Sequence, residues 1–435
     1  MATLQPYKKY NAVAYDYASE LPDGWQLLPN IAIFQERIER GYENEELLSV
    51  TIGRGVIKQS DLDKKDSSTL DKSKYLLVYP DDLVYSMRFR QGASGYSNYK
   101  GIVSPACTVL KPRKGVKFNP RYYHYMLRTG FYKNYAERYA YGIADGQMPL
   151  RYFDFKRMYS IVPPLEVQNS IVAYLDKKNS EIDKFISGKI KLIESLKELK
   201  NQIIEKLVTK GTNNEVSFKD SGLKLFGDVP LHWKIKRLRY VSKKVKTGTT
   251  PSGKLKDYFE DGHYNWFTPG DFNSDYLMLD SAKKVNAQAL KDNEVTKFPA
   301  NSVLIIGIGG TIGKVGLIKS EASSNQQVNS ITFNKEIEPV YGLHLLGLIG
   351  RNLLNILDYT TLPILNQGAT KDLLFIAPPI NEQRTIIAEI SRISESTKES
   401  ILKIEKEISS IKEYREALIT DLVTGKRSVP QLQMN

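Results

Sequence analysis

Residues Pro163–Leu175 read PPLEVQNSIVAYL, and residues Pro378–Ile390 read PPINEQRTIIAEI, 215 positions later. Pro-Pro, the following Gln and an Ile-Ile/Val pair fall at the same spacing in both. Four more landmarks recur in the same order. Trp25 in LPDGW answers Trp233 in VPLHW at an offset of 208, and Pro80 in PDDLVYS answers Pro299 in PANSVLI at 219. NPRYYHYML at 119 answers EPVYGLHLL at 338, also at 219, and EKLVTKG at 205 answers TDLVTGK at 420, at 215. Ordered recurrence at a nearly constant offset is the mark of an internal duplication. The chain reads as two copies of one unit, each a globular segment followed by a helix.

The helices carry their own signature. Ile401, Ile404, Ile408, Ile411, Arg415, Leu418 and Leu422 step alternately by three and four residues. Shifted back by 215, the same register gives Ile186, Lys189, Ile193, Leu196, Lys200, Ile203 and Leu207. A seam of mean spacing 3.5 is what a helix needs to supercoil against a partner helix. The shared register points to mutual, antiparallel pairing. Pro-Pro at the entries and Gly211 or Gly425 at the exits are helix start and stop signals. Lys189 and Lys200 interrupt the apolar seam, and long stems of this kind reach a rim or face a partner.

The globular segments read as mixed α and β. YLLVYPDDLVYS and NSVLIIGI are short β-rich runs bounded by turn residues. After Asn119 and Glu338 a proline falls in the first turn of a helical pattern. RQGASGYSNYKG and TGTTPSGK read as exposed loops. The expected fold is α+β: two pseudo-repeated mixed α/β domains, separated by two long antiparallel coiled-coil helices. The expected divisions are 1–155 and 216–372 for the globular domains, and 156–215 and 373–435 for the helical segments.

A chain of 435 residues exceeds what one core supports. Its 62 Lys and Arg against 49 Asp and Glu leave a net charge of +13, which attracts polyanions. From Leu83 to Ala136 there are ten Lys or Arg and no Asp or Glu, interleaved with Tyr85, Phe89, Tyr96, Tyr99, Tyr122, Tyr123 and Tyr125. Val229–Lys256 holds nine Lys or Arg and again no acid. Such stretches suit a phosphate backbone, with aromatics on which bases or sugars lie. The single cysteine, Cys107, excludes an internal disulfide and reads as a small core side chain. MATLQPYKKY lacks the apolar core of a signal peptide, so a cytoplasmic protein is expected.

Motifs for chemistry are missing. VPPL and APPI lack the polar and aromatic flanks of an adenine-methyltransferase Asp/Asn-Pro-Pro-aromatic motif. IGIGGTIGK fails the GxxxxGK pattern at Ile308 and has Val315 where Ser or Thr is required. His124, His232, His263 and His344 are scattered, without metal-ligand spacing. A non-catalytic binding protein without cofactor or metal is expected.

The duplicated PPLEVQ/PPINEQ entries, the EKLVTKG/TDLVTGK exits and the LPDGW/VPLHW openings together resemble the specificity subunits of Type I restriction-modification systems. SVTIGRGVI, GIVSPACTVL and GGTIGKVGLI followed by NQQ are similar to segments of that family. The resemblance spans nearly the whole chain. It implies two target-recognition domains, each reading one half of a split double-stranded DNA site, with the helices as spacer. It implies docking of two methyltransferase subunits on the helices, and of motor-nuclease subunits through them. Methylation and helicase motifs are then expected on the partners.

Candidate DNA-binding residues are Arg54, Lys58, Arg88, Arg90, Tyr96, Asn98, Tyr99 and Lys100 in the first half. In the second they are Lys246, Thr249, Lys254, Asn273, Lys314, Gln326 and Gln327. All lie in or beside turn-rich stretches and carry phosphate-binding or base-reading groups. Three rival readings stand beside this one: an architectural coiled-coil DNA binder without methyltransferase partners, a nuclease with a dispersed site, and a scaffold for an acidic protein.

Overall fold

The computed structural model describes residues 4–15, 17–62, 71–140, 150–251, 258–273, 276–353 and 364–430. The chain divides into two compact units. The first comprises Met1–Ile190 and Ile404–Asn435, the second Lys191–Lys403. Among the described residues no helix is long and apolar enough to cross a membrane.

Two long helices run Leu165–Lys210 and Ile380–Val423, each opening directly after its Pro-Pro pair. Proline stops no hydrogen bond there, because the first amides of a helix have no intrahelical acceptor. Gly211 and Gly425 follow the exits at φ of 74° and 76°, a left-handed turn that glycine adopts without a Cβ penalty. All seam positions named above are buried or half-buried, while most positions between them are exposed. Lys189 reaches from the seam to Glu407 at 2.6 Å, and Arg415 to Asp183 at 2.5 Å. Moving back along one helix thus moves forward along the other, which is antiparallel pairing.

In the first unit an antiparallel four-stranded sheet has the order Phe34–Glu36, Thr108–Pro112, Leu83–Tyr85, Ser94–Tyr96. Gln26–Pro29 pairs with Tyr159–Val162 beside it. Leu48–Thr51 and Gly55–Lys58 form a hairpin. Helix Pro120–Arg128 buries Tyr122, Tyr123 and Met126 with Phe34, Tyr85 and Phe155. Ile171 and Leu175 from the start of the first long helix join this core, as do Leu418 and Leu422 from the end of the second.

The second unit repeats the plan. Its five-stranded sheet has the order Ser242–Thr247, Val328–Phe333, Val303–Ile306, Val315–Ile318, Leu277–Met278, with only the last pairing parallel. Lys234–Arg237 pairs with Leu374–Ala377, as Gln26–Pro29 does with Tyr159–Val162. Helix Pro339–Arg351 packs Tyr341, Leu345 and Leu346 into the core. Ile204, Leu207 and Val208 from the end of the first long helix meet Ile386 and Ile390 from the start of the second there.

The repeated Gln of each helix entry has one job in both units. Gln168 Nε2 donates to the Pro163 carbonyl at 2.8 Å, and its Oε1 accepts from the Asn119 amide at 2.9 Å. Gln383 makes the same pair of bonds, to Pro378 at 2.8 Å and from Glu338 at 2.9 Å. One buried amide side chain thereby locks the long helix to the start of the helix led by Pro120 or Pro339.

The stretch RQGASGYSNYKG differs from its expected exposed loop. Ala93, Ser94 and Ser97 are buried, and Ser94–Tyr96 is the edge strand of the sheet. Its glycines mark close backbone packing rather than a flexible turn: a Cβ on Gly95 would lie 2.9 Å from Gly55 Cα.

Candidate nucleic-acid interface

In the second unit the antiparallel registers bring four strand ends to one edge. Ser242–Thr247 and Val303–Ile306 finish there, and Val315–Ile318 and Val328–Phe333 begin there. Lys246, Thr249, Lys314, Gln326 and Gln327 gather at that edge. The connecting loops are laced together: Gly248 N bonds Val328 O at 3.0 Å, and Gly307 N bonds Gln327 O at 2.7 Å. Lys246, Lys314 and Gln326 are exposed.

The amides of this edge are oriented. Thr250 Oγ1 donates to Gln326 Oε1 at 2.5 Å, and Asn325 Nδ2 donates to Gln327 Oε1 at 2.9 Å. Each glutamine therefore has its oxygen engaged and its NH₂ directed to donate, which suits a base acceptor or a phosphate oxygen. Thr249 is committed to the fold: its hydroxyl donates to Glu294 O at 3.1 Å and accepts from Thr296 N at 2.8 Å. Asn273 is exposed after the turn Pro269–Asp271, which leaves the strand Tyr264–Phe267 where Asn325 N bonds Phe267 O at 3.0 Å. Lys254 lies outside the described residues.

In the first unit the candidates separate into two groups. Arg54 is at the tip of the hairpin; Arg88 precedes, and Arg90 lies within, the short turn Phe89–Gln91 that follows strand Leu83–Tyr85. All three are exposed. Arg54 donates to the Asp61 carbonyl at 3.1 Å, and Arg90 pairs with Glu137 at 2.7 Å. The second group surrounds Tyr99. Lys58 lies over its ring at 5.6 Å and 3.5 Å from Glu46, while Lys100 pairs with Glu45. Asn98 between them is exposed. Tyr96 is half-buried at the sheet edge, with Arg121 stacked over its ring at 5.6 Å.

Stretches without acid in sequence are not without acid in space. Arg121 pairs with Asp176 at 2.8 Å, Lys236 with Glu336 at 2.5 Å, and Arg237 and Arg239 share Asp372. Tyr85, Phe89, Tyr122 and Tyr123 are core residues, at most 2% exposed, and offer no face to a base. Cys107 is half-buried against the apolar cluster that includes Val84 and Val109, and burial pushes its thiol up to about 12.

One residue of the site carried no sequence signal beyond its charge. Arg128 closes helix Pro120–Arg128 and is half-buried. Its Nη1 donates to Gly92 O at 2.9 Å and Ser94 O at 2.6 Å, and its Nη2 to Ile52 O at 2.6 Å and Gly53 O at 3.1 Å. Only the fold brings those four carbonyls together. Beside it His124 has its Nδ1 shut off from solvent without a hydrogen-bond partner among the described residues. Desolvation, then the charges of Arg128 and Arg121, lowers its pKa to about 3.

Residues 230–410 match the family model of the Type I restriction modification DNA specificity domain. A Methanocaldococcus jannaschii sequence named as the MjaX type I restriction enzyme specificity subunit is 24% identical, over 97% of this chain and 98% of its own length. The MjaVIII specificity subunit of the same organism is 24% identical over 83% of this chain and 82% of its own. Among solved structures, a chain from a study of type I R-M complex assembly and conformational transition superposes with a TM-score of 0.66 at 14% identity, covering 93% of this chain and 99% of that one. The HsdS subunit of Thermoanaerobacter tengcongensis superposes with a TM-score of 0.52 at 16% identity, covering 93% and 98%. The resemblance read from the repeated motifs and the fold class expected with it both hold.

Proposed function

We propose that this chain belongs to the Type I specificity family, that it is the DNA-recognition subunit of a restriction-modification assembly, and that it reads a bipartite double-stranded site. Segments 1–155 and 216–372 act as the two target-recognition domains. Segments 156–215 and 373–435 act as spacer helices that dock two methyltransferase subunits, which in turn recruit motor-nuclease subunits. The chain performs no chemistry of its own and works in the cytoplasm.

The observation that supports this reading best is the pairing of one plan with two different surfaces. Both units use the same sheet edge, the same Pro-led helix and the same glutamine lock. At that edge one unit offers Arg54, Arg88 and Arg90, the other Lys246, Lys314, Gln326 and Gln327. Basic groups hold a duplex by its phosphates, and amides and guanidiniums read base edges in the major groove. Two such surfaces read two sequences. The same strand-end loops support both Arg88 and Lys314 as phosphate contacts.

The test is to co-purify the chain with a Type I methyltransferase subunit and map adenine methylation. A gapped motif that appears only with both proteins is expected. Methylation by the isolated chain, or a motif that does not depend on it, would overturn the reading.

A further inference from the structure

The two units share a tripeptide followed by a basic residue that the 215-residue repeat does not align. Thr51–Ile52–Gly53 is followed by Arg54, and Thr311–Ile312–Gly313 by Lys314. In the first unit it forms the hairpin tip, and in the second it leads into strand Val315–Ile318. The surroundings converge all the same. In both units the turn is held against the C-terminal part of the Pro-led helix. In the second unit the hold is direct backbone packing: a Cβ on Gly313, whose φ is 84°, would lie 2.2 Å from Gly350 O. In the first unit Arg128 does the holding, through Ile52 O and Gly53 O. The same guanidinium grips Gly92 O and Ser94 O, just beyond Arg88 and Arg90.

We infer that Arg128 is a positioning residue for DNA reading by the first unit: its planar fork fixes the Arg54 turn and the Arg88–Arg90 turn relative to each other. The inference rests on the functional reading given above. Four terminal N–H groups meet four carbonyls on two separate turns, so the pair of turns moves as one piece. The acceptors are backbone atoms, so the clamp is indifferent to which side chains the turns carry. Arg128 itself need touch no DNA. A lysine at this position keeps the charge and most of the stem, but its point-like ammonium has three donors and no fork.

The experiment uses the full chain assembled with its methyltransferase subunit. Adenine methylation is mapped genome-wide for wild type, Arg128→Ala and Arg128→Lys. The half of the motif read by the second unit is the internal control for folding and assembly. For both variants, preference for the correct base in the first-unit half is expected to fall by about five- to tenfold, with the second half unchanged. Backbone hydrogen exchange at residues 51–55 and 92–94 is expected to rise together. A merely structural role would lower total methylation without altering base preference. Unchanged preference in the first half overturns the clamp, whatever the total activity. If Arg128→Ala fails to assemble, Arg128→Lys reads the same quantity, and full preference there also overturns it. Failure of the wild-type assembly to methylate a gapped site would instead sink the functional reading.

Discussion

The hydroxyl of Tyr122 donates to the carbonyl of Val423 at 2.9 Å, across 301 residues of chain. Tyr341, its counterpart in the second copy, donates to Val208 at 3.1 Å. Trp25 packs on Gly425 and Trp233 on Gly211 in the same crossed manner. Each folded unit thus takes the start of one long helix and the end of the other. The copy that repeats in sequence and the unit that packs in space are permuted relative to each other.

That relationship makes the two tyrosines sensitive positions. Tyr122→Phe leaves the buried Val423 carbonyl without this donor, and Tyr341→Phe does the same to Val208. Each is expected to cost roughly 1–3 kcal/mol, the usual penalty for an orphaned buried polar group. Urea unfolding monitored at Trp25 for the first variant and at Trp233 for the second should show the loss in the matching unit.

Gln168→Leu removes two bonds and Gln383→Leu three, the third from Nε2 to the Glu336 carbonyl at 2.7 Å, and both keep the bulk. The Pro163 carbonyl and the Asn119 amide, or their counterparts at Pro378 and Glu338, lose their partners. The expected loss is about 2–4 kcal/mol per variant, larger than for the tyrosines. A loss no greater than that of Tyr122→Phe would contradict the locking role.

Acid should destabilise both units. His124 is held near 3, and His344 near 4 by desolvation and by Arg351 and Lys200. Both folded values lie below the unfolded value of about 6.5, so each imidazole is neutral in the fold. Their contribution is complete above pH 6.5 and is lost as pH falls toward the folded values, at up to about 1.4 kcal/mol per pH unit each. Replacing both by glutamine should flatten stability between about pH 6.5 and pH 4, as read by thermal melts.

How much of this was legible in the sequence follows from what each signal depends on. Helix entries, exits and seam depend on local spacing, so Pro164, Gly211 and the Ile401–Leu422 register gave them directly. The crossed packing of Trp25 on Gly425 depends on which copies meet, and no spacing encodes that. The acid-free stretch misled for the same reason, since Glu45, Glu137 and Asp176 reach its cations only in three dimensions. Tyr85 and Tyr122 looked like stacking platforms because aromatic content says nothing about burial. Arg128 showed only a charge at a helix end.

Salt dependence should sort the basic candidates. Arg54→Ala, Arg88→Ala and Lys314→Ala should each lower the slope of log K against log salt by about 0.9 if each holds one phosphate. Arg90→Ala and Lys100→Ala should change it less, because Glu137 and Glu45 already engage those cations. Fluorescence anisotropy with the purified methyltransferase complex supplies the slopes.

The long helices are expected to set the gap between half-sites. An insertion between Glu205 and Gly211 would break the packing of Val208 on Tyr341, so the insertions belong at the division between units. Four residues after Ile190 and four after Lys403 add about one helical turn, roughly 6 Å. At about 3.4 Å per base pair the gap should lengthen by one or two base pairs, with the half-site sequences unchanged. An unchanged gap at full activity would show that the helices do not set it.

The most direct test of the account exchanges residues 25–155 for the equivalent segment of a relative with a different motif, then maps methylated adenines with the methyltransferase subunit present. The account predicts that one half of the gapped motif changes to the donor's while the other half and the gap stay as they were. A change in both halves, or in neither, would contradict it.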